Sequence, residues 1–275
     1  TANAGEALKH LATAFVFLIL GLAALCLNSR LLAEGGARSG QVVAGLHFLT
    51  LGWLSLSIFG ALQVFSGVAL GGAPLDRRLS RLARWIWTGG VLLFVSGFLI
   101  GKIALLGTGF LILGLALALY TIQIVPVLLR AKRGQITRVF IGIAFFSLWC
   151  AWLLGVTSGL ARSGWGPALR VLPPGALQAH LLFAIFGWAG SMVIGVGSHL
   201  VPMFALSRGN SPLPLKLTLA VWVALPVTGI LSAFFPSPWI SISWGLAAVG
   251  SILWAVQFYL YLAARVRREK DHGLR

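Results

Sequence analysis

Residues 42–69 read VVAGLHFLTLGWLSLSIFGALQVFSGVA and contain no Asp, Glu, Lys or Arg. About 20 mostly apolar residues suffice for a helix to cross a bilayer. The run exceeds that length and lacks the polar alternation of a lumen-facing barrel strand. Seven further apolar runs follow the same pattern, at roughly 10–28, 84–104, 108–130, 139–159, 177–205, 217–234 and 239–264. The predicted fold is therefore all-α, a polytopic membrane protein of eight transmembrane helices. Composition agrees: of 275 residues 59% are hydrophobic and 9% charged, with a mean hydropathy of +0.95, whereas soluble domains carry about a quarter charged residues. The first run is long, follows Lys9 and His10, and has no clean small-residue cleavage site, so it reads as a retained helix rather than a signal peptide.

The formal charge is +16. Because the basic residues punctuate apolar runs, the implied anionic partner is the lipid bilayer surface and not nucleic acid. On the N-terminal side fall Lys9, Arg77, Arg78, Arg81, Arg84, Arg130, Lys132, Arg133, Arg138, Arg208, Lys216, Arg265, Arg267, Arg268, Lys270 and Arg275. The other side holds only Arg30, Arg38, Lys102, Arg162 and Arg170. This asymmetry predicts both termini in the cytoplasm, in a bacterial inner membrane. No Asp or Glu falls inside a predicted span, which argues against a carboxylate-driven pump. Two cysteines, Cys26 and Cys150, exclude a disulfide scaffold and read as small hydrophobes. No Gly-rich phosphate loop, His-Glu-x-x-His or Cys-x-x-Cys occurs, and Gly71-Gly72-Ala73-Pro74 reads as a turn.

The chain reads as two tandem parallel four-helix repeats, 1–134 and 135–275. His47, Gly52-Trp53 and Gly60 in the second span are echoed by His180, Gly187-Trp188 and Gly195 in the sixth. Ala-Arg-Ser-Gly precedes both spans, at 37–40 and 161–164. Gln123 near the end of the fourth span answers Gln257 in the eighth. The duplication would bring His47 and His180 to equivalent depth near the outer face, where the two halves meet. Imidazole is a common axial ligand of haem iron, so the expectation is one bis-histidine haem b held by His47 and His180. Gly52 and Gly187 would leave room for the macrocycle, and Trp53 and Trp188 would lie against it. His199 follows His180 by nineteen residues, about 28 Å along a helix. With His10 it makes a second haem site geometrically accessible, although interfacial anchoring is the preferred reading of His10. Met203, four residues beyond His199, admits a copper site. His272 reads as part of a solvated tail.

The strings His47-Phe-Leu-Thr-Leu-Gly-Trp-Leu-Ser-Leu-Ser-Ile-Phe-Gly60-Ala-Leu-Gln63 and Ser198-His199-Leu-Val-Pro202-Met203-Phe204 resemble segments of the haem-copper oxidase subunit I superfamily, especially its non-oxidase NnrS-type relatives. That resemblance implies four-helix arcs with a haem-ligating histidine near the outer start of a second helix, the place His47 occupies. The His-His pair, His-x-His and three-histidine copper site of an oxidase core are missing here, so oxygen reduction is not implied. Haem A synthases are similar in their two four-helix halves but carry histidines where this chain has Tyr120, Gln123, Trp254 and Gln257. The function expected is membrane electron transfer, or handling of nitric oxide or another diatomic gas, with a quinol or cytochrome partner or a second copy of the chain. The alternatives are a haem A synthase-like or quinol-oxidising enzyme, and a copper or haem transport or assembly protein.

Overall fold

A chain segment in hydrocarbon must satisfy its own backbone hydrogen bonds, and the apolar runs do so as helices. The computed structural model describes residues 3–71, 75–164, 166–207 and 211–266, with the side chains at 168 and 169 excepted. Gly72, Ala73, Pro74, Arg208, Arg267, Arg268, Lys270, His272 and Arg275 lie outside the described residues. Among those described, eight helices are long and apolar enough to span a bilayer, as expected: Ala4–Leu27, Gly40–Leu70, Arg77–Ile100, Ile103–Arg130, Gln135–Arg162, Ala176–Ala205, Leu213–Phe234 and Pro236–Ala263.

The elements are α1 (Ala4–Leu27), α2 (Ser29–Ala33), α3 (Gly40–His47), π1 (Phe48–Ser55), α4 (Leu56–Leu70), α5 (Arg77–Ile100), α6 (Ile103–Arg130), α7 (Gln135–Arg162), α8 (Gly166–Val171), α9 (Ala176–Leu182), π2 (Phe183–Gly190), α10 (Ser191–Ala205), α11 (Leu213–Phe234) and α12 (Pro236–Ala263). Several helices begin before their apolar runs. At α5 the reason is a cap: Asp76 accepts a hydrogen bond from the Leu79 N–H at 2.7 Å, so the helix starts at Arg77 rather than near 84. The first helix likewise starts at Ala4, which brings Glu6 inside a span and corrects the expectation of acid-free spans.

The second and sixth crossing helices both open into a π segment, and the two segments lie 135 residues apart at each end. A π turn frees the usual i−4 carbonyls. Ser55 Oγ donates to the Thr50 carbonyl at 2.9 Å, and Ser191 Oγ reaches back to Phe186.

Two compact units can be described separately, residues 1–132 with 152–172, and residues 133–151 with 173–275. This division differs from a cut at 134, because the latter half of α7 packs within the first unit. There Trp152 donates from Nε1 to the Phe110 carbonyl at 3.0 Å and covers Gly114.

In the first unit α1 lies along π1 and α4, with Phe17 over Gly52 and His10 over Gly60. Helices α5 and α6 pack as a pair. Trp87 Nε1 ties α5 to π1 through the Leu51 carbonyl at 2.9 Å, and Gln123 accepts from Ser80 at 2.9 Å. The second unit has contacts of a similar kind. Ser147 and Phe140 of α7 cover Gly187 and Gly195. Trp222 Nε1 donates to Ser191 Oγ at 2.9 Å, and Gln257 accepts from the Leu215 N–H at 3.1 Å. The core of this unit gathers Phe140, Leu182, Ile194, Leu215, Trp222, Leu225 and Ala247.

A Cβ at residue 52 would sit 2.5 Å from the Phe17 ring, whereas one at residue 89 would meet nothing within 4 Å. Gly52→Leu is therefore expected to cost about 1–3 kcal/mol by overpacking, while Gly89→Ala holds or raises stability because alanine is the better helix former. Thermal melts of the two variants in one detergent check the contrast.

Candidate functional site

His47 closes α3, just before π1, and is half-buried. Its Nδ1 donates to the Val43 carbonyl at 2.8 Å, one helical turn back. The ring stacks on Phe98 with centroids 6.0 Å apart and meets the edge of Phe94 at 5.0 Å, both on α5. His180 lies in α9, three residues before π2, and is also half-buried. Its Nδ1 donates to the Ala151 carbonyl of α7 at 2.8 Å. Because a carbonyl only accepts, the proton sits on Nδ1 in both rings, and Nε2 is the basic nitrogen.

The two histidines do not occupy equivalent places. His47 precedes Gly52 by five residues, and His180 precedes Gly187 by seven. Two residues turn a helix by about 200°. His47 accordingly leans on the third crossing helix of its unit, and His180 on α7. The tryptophans diverge as well: Trp53 is 39% exposed, whereas Trp188 is 2% exposed and meets Phe145 edge-on at 5.5 Å. The room expected beside Gly52 and Gly187 is taken by Phe17 and Ser147, so these glycines serve close helix approach.

His199 is half-buried on α10, with Pro202 and the 43% exposed Met203 beyond it. Nineteen residues of one helix hold it apart from His180, and His10 is likewise remote from His47. His10 packs on Gly60, thirteen residues and about 20 Å along the helix from His47.

His10 is not an interfacial anchor. It is fully buried in a polar cluster with Glu6, Arg84 and Tyr120, which are 0%, 5% and 3% exposed. Arg84 Nε donates to Glu6 Oε1 at 3.1 Å, and Arg81 Nε stands 4.0 Å from Oε2. His10 Nδ1 donates to the Glu6 main-chain carbonyl at 2.8 Å. With that proton on Nδ1, Nε2 accepts from the Tyr120 hydroxyl at 2.9 Å, so a metal at His10 would require Tyr120 to give way. Tyr120 stacks on Phe59 with centroids 3.8 Å apart. The i,i+4 spacing of Glu6 and His10 is the one local signal of this cluster. Arg84 and Tyr120 lie 78 and 110 residues away from their partners.

At the matching places of the second unit stand Ile136, Phe140, Leu219 and Trp254, the register being set by His10 over Gly60 and Phe140 over Gly195, by Trp87 and Trp222, and by Gln123 and Gln257. All four belong to or pack against its apolar core. Among the described residues, no three His, Cys, Asp or Glu side chains come together to hold a bare metal ion. Compared with known protein families, curated proteins and solved structures, the chain shows no match.

Removing one partner of a buried ion pair strands the other charge, at a cost of about 3–5 kcal/mol, whereas an apolar replacement of both is often neutral. Glu6→Ile is expected to lower the thermal midpoint sharply. Glu6→Ile/Arg84→Leu, which installs the residues of the second unit, is expected to recover most of the loss in the same melt.

Proposed function

We propose that this is a haem b-binding membrane protein in which His47 and His180 supply imidazole ligands to iron through Nε2. The observation that supports this reading is the pinning of both Nδ1 atoms by main-chain carbonyls at 2.8 Å, beside a π segment in each case. Metal-binding histidines commonly donate their other ring nitrogen in this way, which fixes tautomer and ring direction, and π turns concentrate at functional sites. A haem iron asks for only one or two protein ligands, in keeping with an inventory that offers isolated histidines.

Within this proposal, two imidazoles on one iron make electron transfer the role, with a quinol or a cytochrome as partner. A single imidazole leaves a position for nitric oxide or another diatomic gas. The reading places the chain beside the NnrS-type relatives of the haem-copper oxidase superfamily, in a bacterial inner membrane with both termini cytoplasmic. The aromatic pair Phe94 and Phe98 packs against the His47 ring. Haem would supply the one-electron couple; the chain's part is to hold and orient the two imidazoles.

A reduced-minus-oxidised spectrum of the purified protein tests the proposal. Sharp low-spin haem b bands that vanish in both His47→Ala and His180→Ala, at one haem per chain, are the expected result. Protein that binds no haem but takes up copper, lost in His199→Ala, would overturn it in favour of a transport or assembly role. Orientation has its own check: alkaline phosphatase fused after Val266 is expected to be inactive in cells, and active enzyme there would reverse the topology.

A further inference from the structure

Beside the buried Glu6–Arg84 pair, the surface of the first unit carries a shallow, open groove of about 440 Å³ between α1 and α5, lined by Lys9, Ala12, Thr13, Arg81, Arg84 and Trp85. Its charge is one-sided. Lys9, Arg81 and Arg84 bring three positive charges, and Glu6, behind them, is the one carboxylate in contact among the described residues. Arg84 is the built element of this groove. Its side chain is 6% exposed, and it is held by Glu6 through Nε and by Thr13 Oγ1 through Nη1 at 3.3 Å. A guanidinium has five donors, and these two bonds take two of them. Its carbon stands 4.6 Å over the Trp85 ring. Arg81, half-exposed with its Nε 4.0 Å from Glu6 Oε2, and the exposed Lys9 can both turn towards a ligand.

One comparison and one general rule say that a stable bundle does not require this arrangement. The corresponding positions of the second unit are Val139, Gly142, Ile143, Lys216, Leu219 and Ala220, which retain one cation and no buried arginine. A buried ion pair, moreover, is seldom worth more to stability than its apolar replacement.

We propose that the groove is a binding site for the phosphodiester headgroup of an anionic phospholipid. Lys9, Arg81 and Arg84 would take the phosphate oxygens, with Thr13 beside them. A lipid is favoured over a free anion by what flanks the groove. Along the same helix faces follow Val16 and Leu20 on α1 and Leu92 on α5, which are 55%, 41% and 45% exposed. They form an apolar track on which acyl chains lie while the headgroup is held. Trp85, 60% exposed, stands at the groove as aromatic residues do at headgroup level. Basic pockets between membrane helices are a known kind of lipid site. The site lies at the end of the unit that carries the N-terminus and is independent of the haem reading.

The test is native mass spectrometry of the full chain in detergent, with dioleoylphosphatidylglycerol or dioleoylphosphatidylcholine added. Selective retention of the anionic lipid is expected. Lys9→Gln/Arg81→Gln, which leaves the Glu6–Arg84 pair in place, should weaken retention about tenfold or more, since each cation near a lipid surface contributes about 1 kcal/mol. Lys132→Gln/Arg133→Gln removes the same charge from an exposed loop and should leave retention unchanged. Equal retention of both lipids, equal loss in the two double variants, or displacement of the lipid by inorganic phosphate at matching concentration would each overturn the proposal. The last outcome would assign the groove to a free anion. A thermal melt within the error of the parent chain confirms that the Lys9→Gln/Arg81→Gln protein is folded.

Discussion

Close approach between the first and second crossing helices of each unit is the constraint from which the other contacts follow. In hydrocarbon no hydrophobic effect draws helices together, so small residues and buried hydrogen bonds must do it. Gly52 and Gly60 receive Phe17 and His10, and Gly187 and Gly195 receive Ser147 and Phe140. With those backbones close, the third helix of each unit can reach the second through a tryptophan N–H, Trp87 onto Leu51 and Trp222 onto Ser191. A glutamine on the fourth helix, Gln123 or Gln257, then fixes the start of the third. The π segments sit at the centre of these contacts, where a widened turn leaves carbonyls for side chains to use.

The same framework is filled in two ways. In the first unit Glu6, His10, Arg84 and Tyr120 form a buried polar network; in the second, Ile136, Phe140, Leu219 and Trp254 pack as an apolar core. Ionisable groups inside a membrane protein are costly and tend to be kept for function. Here the apolar counterpart within one chain supplies the reference state that such arguments usually lack. Arg84 belongs both to this cluster and to the lining of the cationic groove beside it.

Of the candidate site, His47 and His180 were legible as the imidazoles at the start of two related helices. Their settings differ: the two-residue difference in spacing to Gly52 and Gly187, itself present in the sequence, turns one ring away from the place of the other. Trp53 and Trp188 share a sequence position but not an environment, since exposure depends on which neighbours cover each face. His10 was misjudged for a plainer reason. Its partners come from α5 and α6, and no local pattern announces that Arg84, one of the basic residues on the N-terminal side, turns inward to meet Glu6.

By itself the sequence determined the eight crossing helices, because apolar length and the need to satisfy backbone hydrogen bonds in lipid leave no other structure for such runs. It also determined the uneven placement of basic residues between the two ends of the helices. Tertiary structure alone decided where the helices widen into π turns, which glycines meet which side chains, and that a carboxylate and a guanidinium 78 residues apart form one buried pair. Those outcomes depend on contacts between distant segments, and periodicity along a single helix carries no record of its neighbours.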